Sequence, residues 1–336
     1  MTTIRAYCAC LTAGVLLSGV PRAQACKVPV FRYALERWQP EVYLMTIFTT
    51  GALTQAEQEL VDWLRAPEVT HHLLQTEVDD VTMPAEGQAA QRRQQAAAQS
   101  LPWCALDYPP HLGVPTNIWC APLQRDALAL VPVSPARREI AQRLARDNAV
   151  VWLLLECGNA ARDEEIAARL AALLEDARTN ILLPHQIEAP EFEDVHQEYD
   201  TNLVFFPTLI RVVRTNEAEA VLIRTLTHVY PELLTTNEPV AFPIIGRGRA
   251  FTALIGEQIA RDLVMAWSAL IAGPCACEIK EQNPGIDLFI PCDWDAMILD
   301  RMVYDPPAPP LTGFDAFRPP DAAASGTVSA TGAHAQ

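Results

Sequence analysis

Lysine is almost missing from this chain: Lys27 and Lys280 are the only two, so nearly all positive charge is guanidinium. Bases of any kind are few, 25 against 41 acids. The resulting net charge of −16 repels a phosphate backbone and argues against nucleic-acid binding. Aromatic residues make up only 7%, yet half the chain is hydrophobic and 20% is charged, which excludes wholesale disorder. Long apolar runs are missing too. Residues 9–20 (ACLTAGVLLSGV) and 150–155 (VVWLLL) both fall short of a bilayer-spanning helix, so no transmembrane segment is expected. Familiar catalytic signatures are equally scarce: there is no Gly-x-Ser-x-Gly elbow, no histidine pair at i, i+4, no Gly-Lys-Ser/Thr phosphate loop and no Cys-x-x-Cys. No cofactor and no metal is expected.

What is present speaks first about compartment. Arg5, the apolar stretch 9–20 and the small-x-small triplet Ala23-Gln24-Ala25 read as a signal peptide over residues 1–25, so the mature protein is expected to be exported, periplasmic or cell-envelope associated. Cys26 follows the cleavage point, where the lipid-bearing cysteine of a bacterial lipoprotein stands. A lipid anchor on Cys26 and a soluble secreted form both stay open. Seven cysteines remain after cleavage, and in an exported chain their first reading is disulfide bonding.

The 336 residues give room for two domains. Residues 42–48 read as a strand, Thr54 as the cap of a helix through Ala66, and 72–78 as a second strand. A Gln/Ala/Arg-rich stretch, Gly87–Gln99, precedes strand-like pieces at Leu101–Tyr108 and Ala127–Val133. A second series opens at the Ser134-Pro135 cap, with a strand at Ala149–Glu156 and a helix over 162–178. Strands at Leu203–Val213 and Val240–Ile245 follow, with a helix at 216–229 between them. A last helix, expected inside 257–272, turns Ile259, Leu263, Ala266, Trp267 and Leu270 inward. Strands alternating with helices call for an α/β fold. Units are expected at 26–133 and 134–300, the second ending in a β-hairpin, and the Pro/Ala-rich tail 301–336 is expected to be disordered.

The piece 240–272 (strand, Gly-x-Gly turn, the strand AFTALI, helix) resembles the closing half of a thioredoxin-like domain, and 149–178 resembles its opening half. The resemblance implies two tandem thioredoxin-like units without the dithiol: Glu156-Cys157-Gly158-Asn159 carries one cysteine where such domains carry two. More finely, Phe31–Trp38 (FRYALERW), Ser134–Glu139 (SPARRE), Val151–Glu156 with Gly158, Phe242–Arg249 (FPIIGRGR) and Cys275–Leu288 (CACEIKEQNPGIDL) resemble an uncharacterised family of exported bacterial proteins. That resemblance implies no activity.

Gly246-Arg247-Gly248-Arg249 reads as a hairpin turn whose two arginines, Arg247 and Arg249, are offered to a partner. Asn283-Pro284-Gly285-Ile286 is a second turn signal. Closing it sets Cys277 opposite Cys292, a disulfide expectation, and Cys275 opposite Trp294. Cys104 and Cys120 are the next candidate pair. The leading expectation is a non-catalytic exported binding or assembly protein acting on an unidentified envelope protein. The alternative is a thiol–disulfide enzyme using Cys157 or Cys275/Cys277. A weaker one is a cation-binding protein using His185, His196 and the acidic residues between them.

Overall fold

The computed structural model describes residues 26–146, 149–187, 203–230, 232–275, 280 and 285–299, with Cys26 and Lys27 as backbone only. The expected signal peptide 1–25, Cys277, His196 with the acidic residues preceding it, and the tail from 301 lie outside the described residues.

Two strand–helix series follow one another. In the first, β1 (Cys26–Pro29) and α1 (Val30–Arg37) lead into β2 (Tyr43–Thr49). Thr54 caps α2 (Gln55–Arg65): its hydroxyl accepts from the Glu57 N–H while the Glu57 carboxylate accepts from the Thr54 N–H, a reciprocal box. A single turn, α3 (Pro67–Thr70), precedes β3 (Leu74–Asp80), then come α4 (Gly87–Ala97), β4 (Trp103–Asp107), β5 (Trp119–Pro122) and the turn α5 (Arg125–Leu128). The second series is α6 (Pro135–Ala145), β6 (Val150–Glu156), α7 (Ala160–Asn180), β7 (Pro207–Val213), α8 (Ala220–Thr227), α9 (Glu232–Thr235) and β8 (Val240–Ile245). It closes with β9 (Arg249–Ala250), β10 (Leu254–Ile255), α10 (Arg261–Ala272), β11 (Pro274–Cys275), β12 (Ile286–Asp287) and α11 (Trp294–Ile298).

The strands form two mixed sheets and a small pair. The first sheet runs β3-β2-β4-β5, with β2 and β3 parallel and each later neighbour antiparallel. The second runs β7-β6-β8-β9-β12, with β6 and β7 parallel and the rest antiparallel. The same order and directions therefore occur twice. β9 and β10 act as one interrupted strand along β8: Ile245 faces Arg249 and Ala241 faces Leu254, one residue slipping in between.

Alternation along each strand divides the apolar residues between two cores. Tyr43, Met45 and Ile47 of β2 join Leu153 and Leu155 of β6 and Phe242 of β8 in one core shared by both sheets and by α2, α6 and α8. The opposite faces of β6 and β8, with Trp152, Leu154, Ala241 and Ile245, pack under α7 and α10 in a second core. α1 belongs to this second core through Val30, Phe31, Ala34 and Trp38, so residues 26–38 dock on the second sheet although they precede the first in sequence.

The structure corrects four local expectations. Ala127–Val133 is not a strand. Its apolar residues Leu128 and Val131 are buried from α5 and the following turn, and the fourth strand of the first sheet is the earlier β5. α10 turns Val264, Ser268, Ile271 and Ala272 inward and leaves Leu263 exposed. Among the described residues the C-terminal hairpin has no ladder: β11 pairs with β1, β12 pairs with β9, and Trp294 opens a helix rather than facing Cys275. Gly285 lies so close to β9 that a Cβ there would stand 2.5 Å from the Ala250 carbonyl oxygen, so the turn glycine serves edge pairing with β9. Finally, Arg247 and Arg249 are 6% and 8% exposed, so their turn is packed inward.

Candidate functional site

The arginine turn shows why it is unavailable to a partner. Gly246 takes a positive φ of 58°, and a Cβ there would stand 2.7 Å from the Ala34 side chain, so the turn is pressed onto α1. From this turn Arg247 donates to the carbonyls of Leu35 and Glu36 and to Asp295 Oδ1, at 2.8, 3.3 and 2.5 Å. Arg249 pairs with Asp287 at 3.1 Å, and Lys280 holds the other oxygen of that carboxylate at 2.9 Å. The guanidiniums are staples between α1, the β8–β9 turn and the C-terminal segment.

Cys104 and Cys120 sit on neighbouring strands but one register step apart, Cys104 opposite Ala121 and Cys120 opposite Ala105. That step sends their side chains to opposite faces of the sheet, which corrects the expected pair. Cys104 lies in the shared core, whereas Cys120 packs near Phe48 and Ala105 on the other face, and both are free thiols. Burial pushes the Cys104 thiol up to about 12 and the Cys120 thiol up to about 11. Cys157 stands between β6 and α7, where the resemblance places a thioredoxin nucleophile. Its backbone N–H and that of Gly158 donate to the Asp163 carboxylate at 2.8 and 3.0 Å. Burial first, with the Asp163 side chain adding to it, raises the Cys157 thiol above its ordinary value despite an opposing hydrogen bond from the Asn159 backbone. Cys292 is half-buried in an irregular segment, a free thiol raised to about 12 by burial and by Asp293. Among the described residues no group of three His, Cys, Asp or Glu side chains is placed to hold a metal ion, and His185 lies alone in a short turn.

A cleft of about 430 Å³, within the range of ligand pockets, lies where the two units meet. One wall is the α3 turn with Glu68, His71, His72 and Leu73. The other is the segment entering α11, with Cys292, Asp293, Trp294 and Asp295; Arg247 and Pro40 lie between. The α3 wall has an unusual backbone. Pro67 opens the turn, the His71 N–H donates to the Pro67 carbonyl at 2.8 Å, and both His71 and His72 then take left-handed conformations, φ 46° and 61°. Non-glycine residues there cost about 1–3 kcal/mol each, and two in succession line this cleft. On the other wall Trp294 is 3% exposed, and its indole N–H has no acceptor among the described residues. Asp293 caps α11 by accepting from the Ala296 N–H at 2.9 Å.

Two smaller cavities, about 220 and 190 Å³, flank Arg92 on the outer face of the first sheet, where Arg92 is committed to Thr46 and Asp107. Sequence reasoning missed the cleft. Its one local signal was the adjacent pair His71-His72 after Pro67, and nothing in the order of residues brings 68–73 against 292–295. Comparison with protein-family models, with curated proteins and with solved structures finds no match.

Proposed function

We propose that this is a non-catalytic binding or assembly protein, exported to the bacterial cell envelope and built on two thioredoxin-like units that present the inter-unit cleft to a partner. The repeated strand order, with the first two strands parallel and the later ones antiparallel, supports the thioredoxin-like reading. The observation that carries the binding reading is the cleft between the units: a concave volume, apolar lining from Pro40, Leu73 and Trp294, and charged groups around it. A thiol–disulfide catalyst needs an activated thiol and a second one to resolve the mixed disulfide, whereas Cys157 has no other cysteine within three residues and burial, with Asp163 adding to it, raises its thiol above the ordinary value.

The test is affinity capture from envelope extracts with the mature chain, using His72→Ala and Asp293→Ala as cleft variants, run beside an insulin-reduction assay. A partner retained by the parent and lost by both variants supports the proposal. Insulin reduction that disappears in Cys157→Ser overturns it.

A further inference from the structure

Resting on the cleft as the binding site, we infer that its occupant is a basic peptide segment of a partner protein, held through an arginine side chain. Charge is the first argument. Three carboxylates, Glu68, Asp293 and Asp295, line the cleft, against one guanidinium. That guanidinium, Arg247, is buried and already satisfied by Asp295 and two carbonyls, so it offers no free positive charge to an incoming anion. Glu68 on the α3 wall and Asp293 on the α11 wall are both exposed and have no cation within ion-pair distance among the described residues. The chain as a whole carries −16, so the field around the cleft favours approach of a cation.

Shape and donors narrow the class. A cleft of about 430 Å³ exceeds what a lone guanidinium fills and leaves room for flanking backbone. Its apolar lining of Pro40, Pro67, Leu73 and Trp294 suits the methylene stem and flat face of arginine better than the compact, strongly hydrated lysine head. Trp294 lines the cleft, and its indole N–H is a buried donor without an acceptor among the described residues. The imidazoles of His71 and His72, when neutral, each add one acceptor at the rim.

The probe is the acetylated, amidated pentapeptide Ala-Ala-Arg-Ala-Ala, titrated onto the full mature chain while the indole N–H resonance of Trp294, assigned through Trp294→Phe, is followed by NMR. A saturable shift is expected, weakening with added salt, and at least ~ten-fold weaker in Glu68→Gln/Asp293→Asn. Both positions are exposed, and the amide oxygen introduced by Asp293→Asn still accepts from the Ala296 N–H, so the double variant keeps the α11 cap, which its unchanged indole spectrum verifies. An equal response to Ala-Ala-Glu-Ala-Ala, no saturable response, or binding of free arginine or spermidine as tight as that of the peptide each overturns the inference. If it fails while the cleft variants still lose a partner in the capture experiment, the binding reading stands with a different occupant.

Discussion

Single side chains decide more here than the composition suggests. Gly246 meets two demands at once: a left-handed backbone, and contact with α1 close enough that a Cβ would overlap Ala34. Gly246→Ala is therefore expected to lower stability by about 2–4 kcal/mol, read as an earlier midpoint in a urea titration at unchanged slope. A loss below half a kcal/mol would mean that the turn moves away from α1 at little cost. The thiols make a second residue-scale case. With Cys104 and Cys292 raised to about 12, the thiolate fraction grows about ten-fold per pH unit up to that value. Alkylation of the half-buried Cys292 is thus expected to accelerate steadily from pH 7 to pH 10 with no plateau. A plateau below pH 9, measured by peptide mapping, would reveal a thiolate stabilised by something other than the groups around it. The sign for stability follows the same direction. A thiol whose folded value exceeds its unfolded value stabilises the fold at low pH, and that contribution fades as pH climbs from about 9 towards 12.

Among the elements, the start of α6 carries the largest concentration of buried polar contacts. Arg137, 2% exposed, donates to the carbonyls of Val131, Leu130 and Phe289 at 2.7, 2.9 and 3.0 Å and to Ser134 Oγ at 3.0 Å. Glu219 bonds Ser134 Oγ and the Ala136 N–H, so α6 is tied to the α8 entry as well. Replacing Arg137 by methionine keeps the bulk but orphans the buried carbonyls of Val131 and Phe289 and the half-buried one of Leu130, an expected loss of about 3 kcal/mol or more. A change within half a kcal/mol in the same urea titration would show that water takes over the acceptors.

The α6 boundary was legible in sequence, since Ser134-Pro135 is a local signal and the Ser134 hydroxyl does accept from Arg137 N–H. The same holds for the Thr54 cap, for β2, for β6 and for the Gly246–Gly248 turn, where propensity and tertiary context agree. What was not legible is non-local. The turn signal at 283–286 implied a hairpin with the preceding residues, but the edge of β9 competes for the same short strand and takes it. The arginines of the Gly-x-Gly turn carry no mark in sequence of the carbonyls, thirty-fifth and thirty-sixth in the chain, that bury Arg247. A one-residue register difference, invisible in the spacing of Cys104 and Cys120, separates them by a whole sheet.

At the scale of the whole molecule, the two repeated sheets are not independent bodies. Their facing residues form one core, and hydrogen bonds cross between units: Tyr43 Oη donates to the Asp287 carbonyl, and Tyr108 Oη lies 2.8 Å from the Arg224 carbonyl and 2.9 Å from that of Thr225. The aromatic ring of Tyr43 also stands 5.3 Å from that of Phe289. α1, early in the chain, completes the outer core of the second sheet. Cutting between Val133 and Ser134, the boundary that sequence suggests, would strip Val30, Phe31, Ala34 and Trp38 from that core and expose the shared core of both halves. At roughly 1.5–3 kcal/mol per large apolar side chain uncovered, either half would lose more than the 5–15 kcal/mol that separates folded from unfolded domains. Calorimetry of the intact chain is therefore expected to give one transition whose calorimetric and van't Hoff enthalpies agree, and a fragment of residues 134–299 is expected to lack a cooperative transition. Adding residues 26–41 to that fragment restores its outer core but not the shared one, so it too should stay non-cooperative. Two resolved transitions in the intact chain, or a sharp melt of the 134–299 fragment, would show that the shared core is an interface between self-sufficient domains.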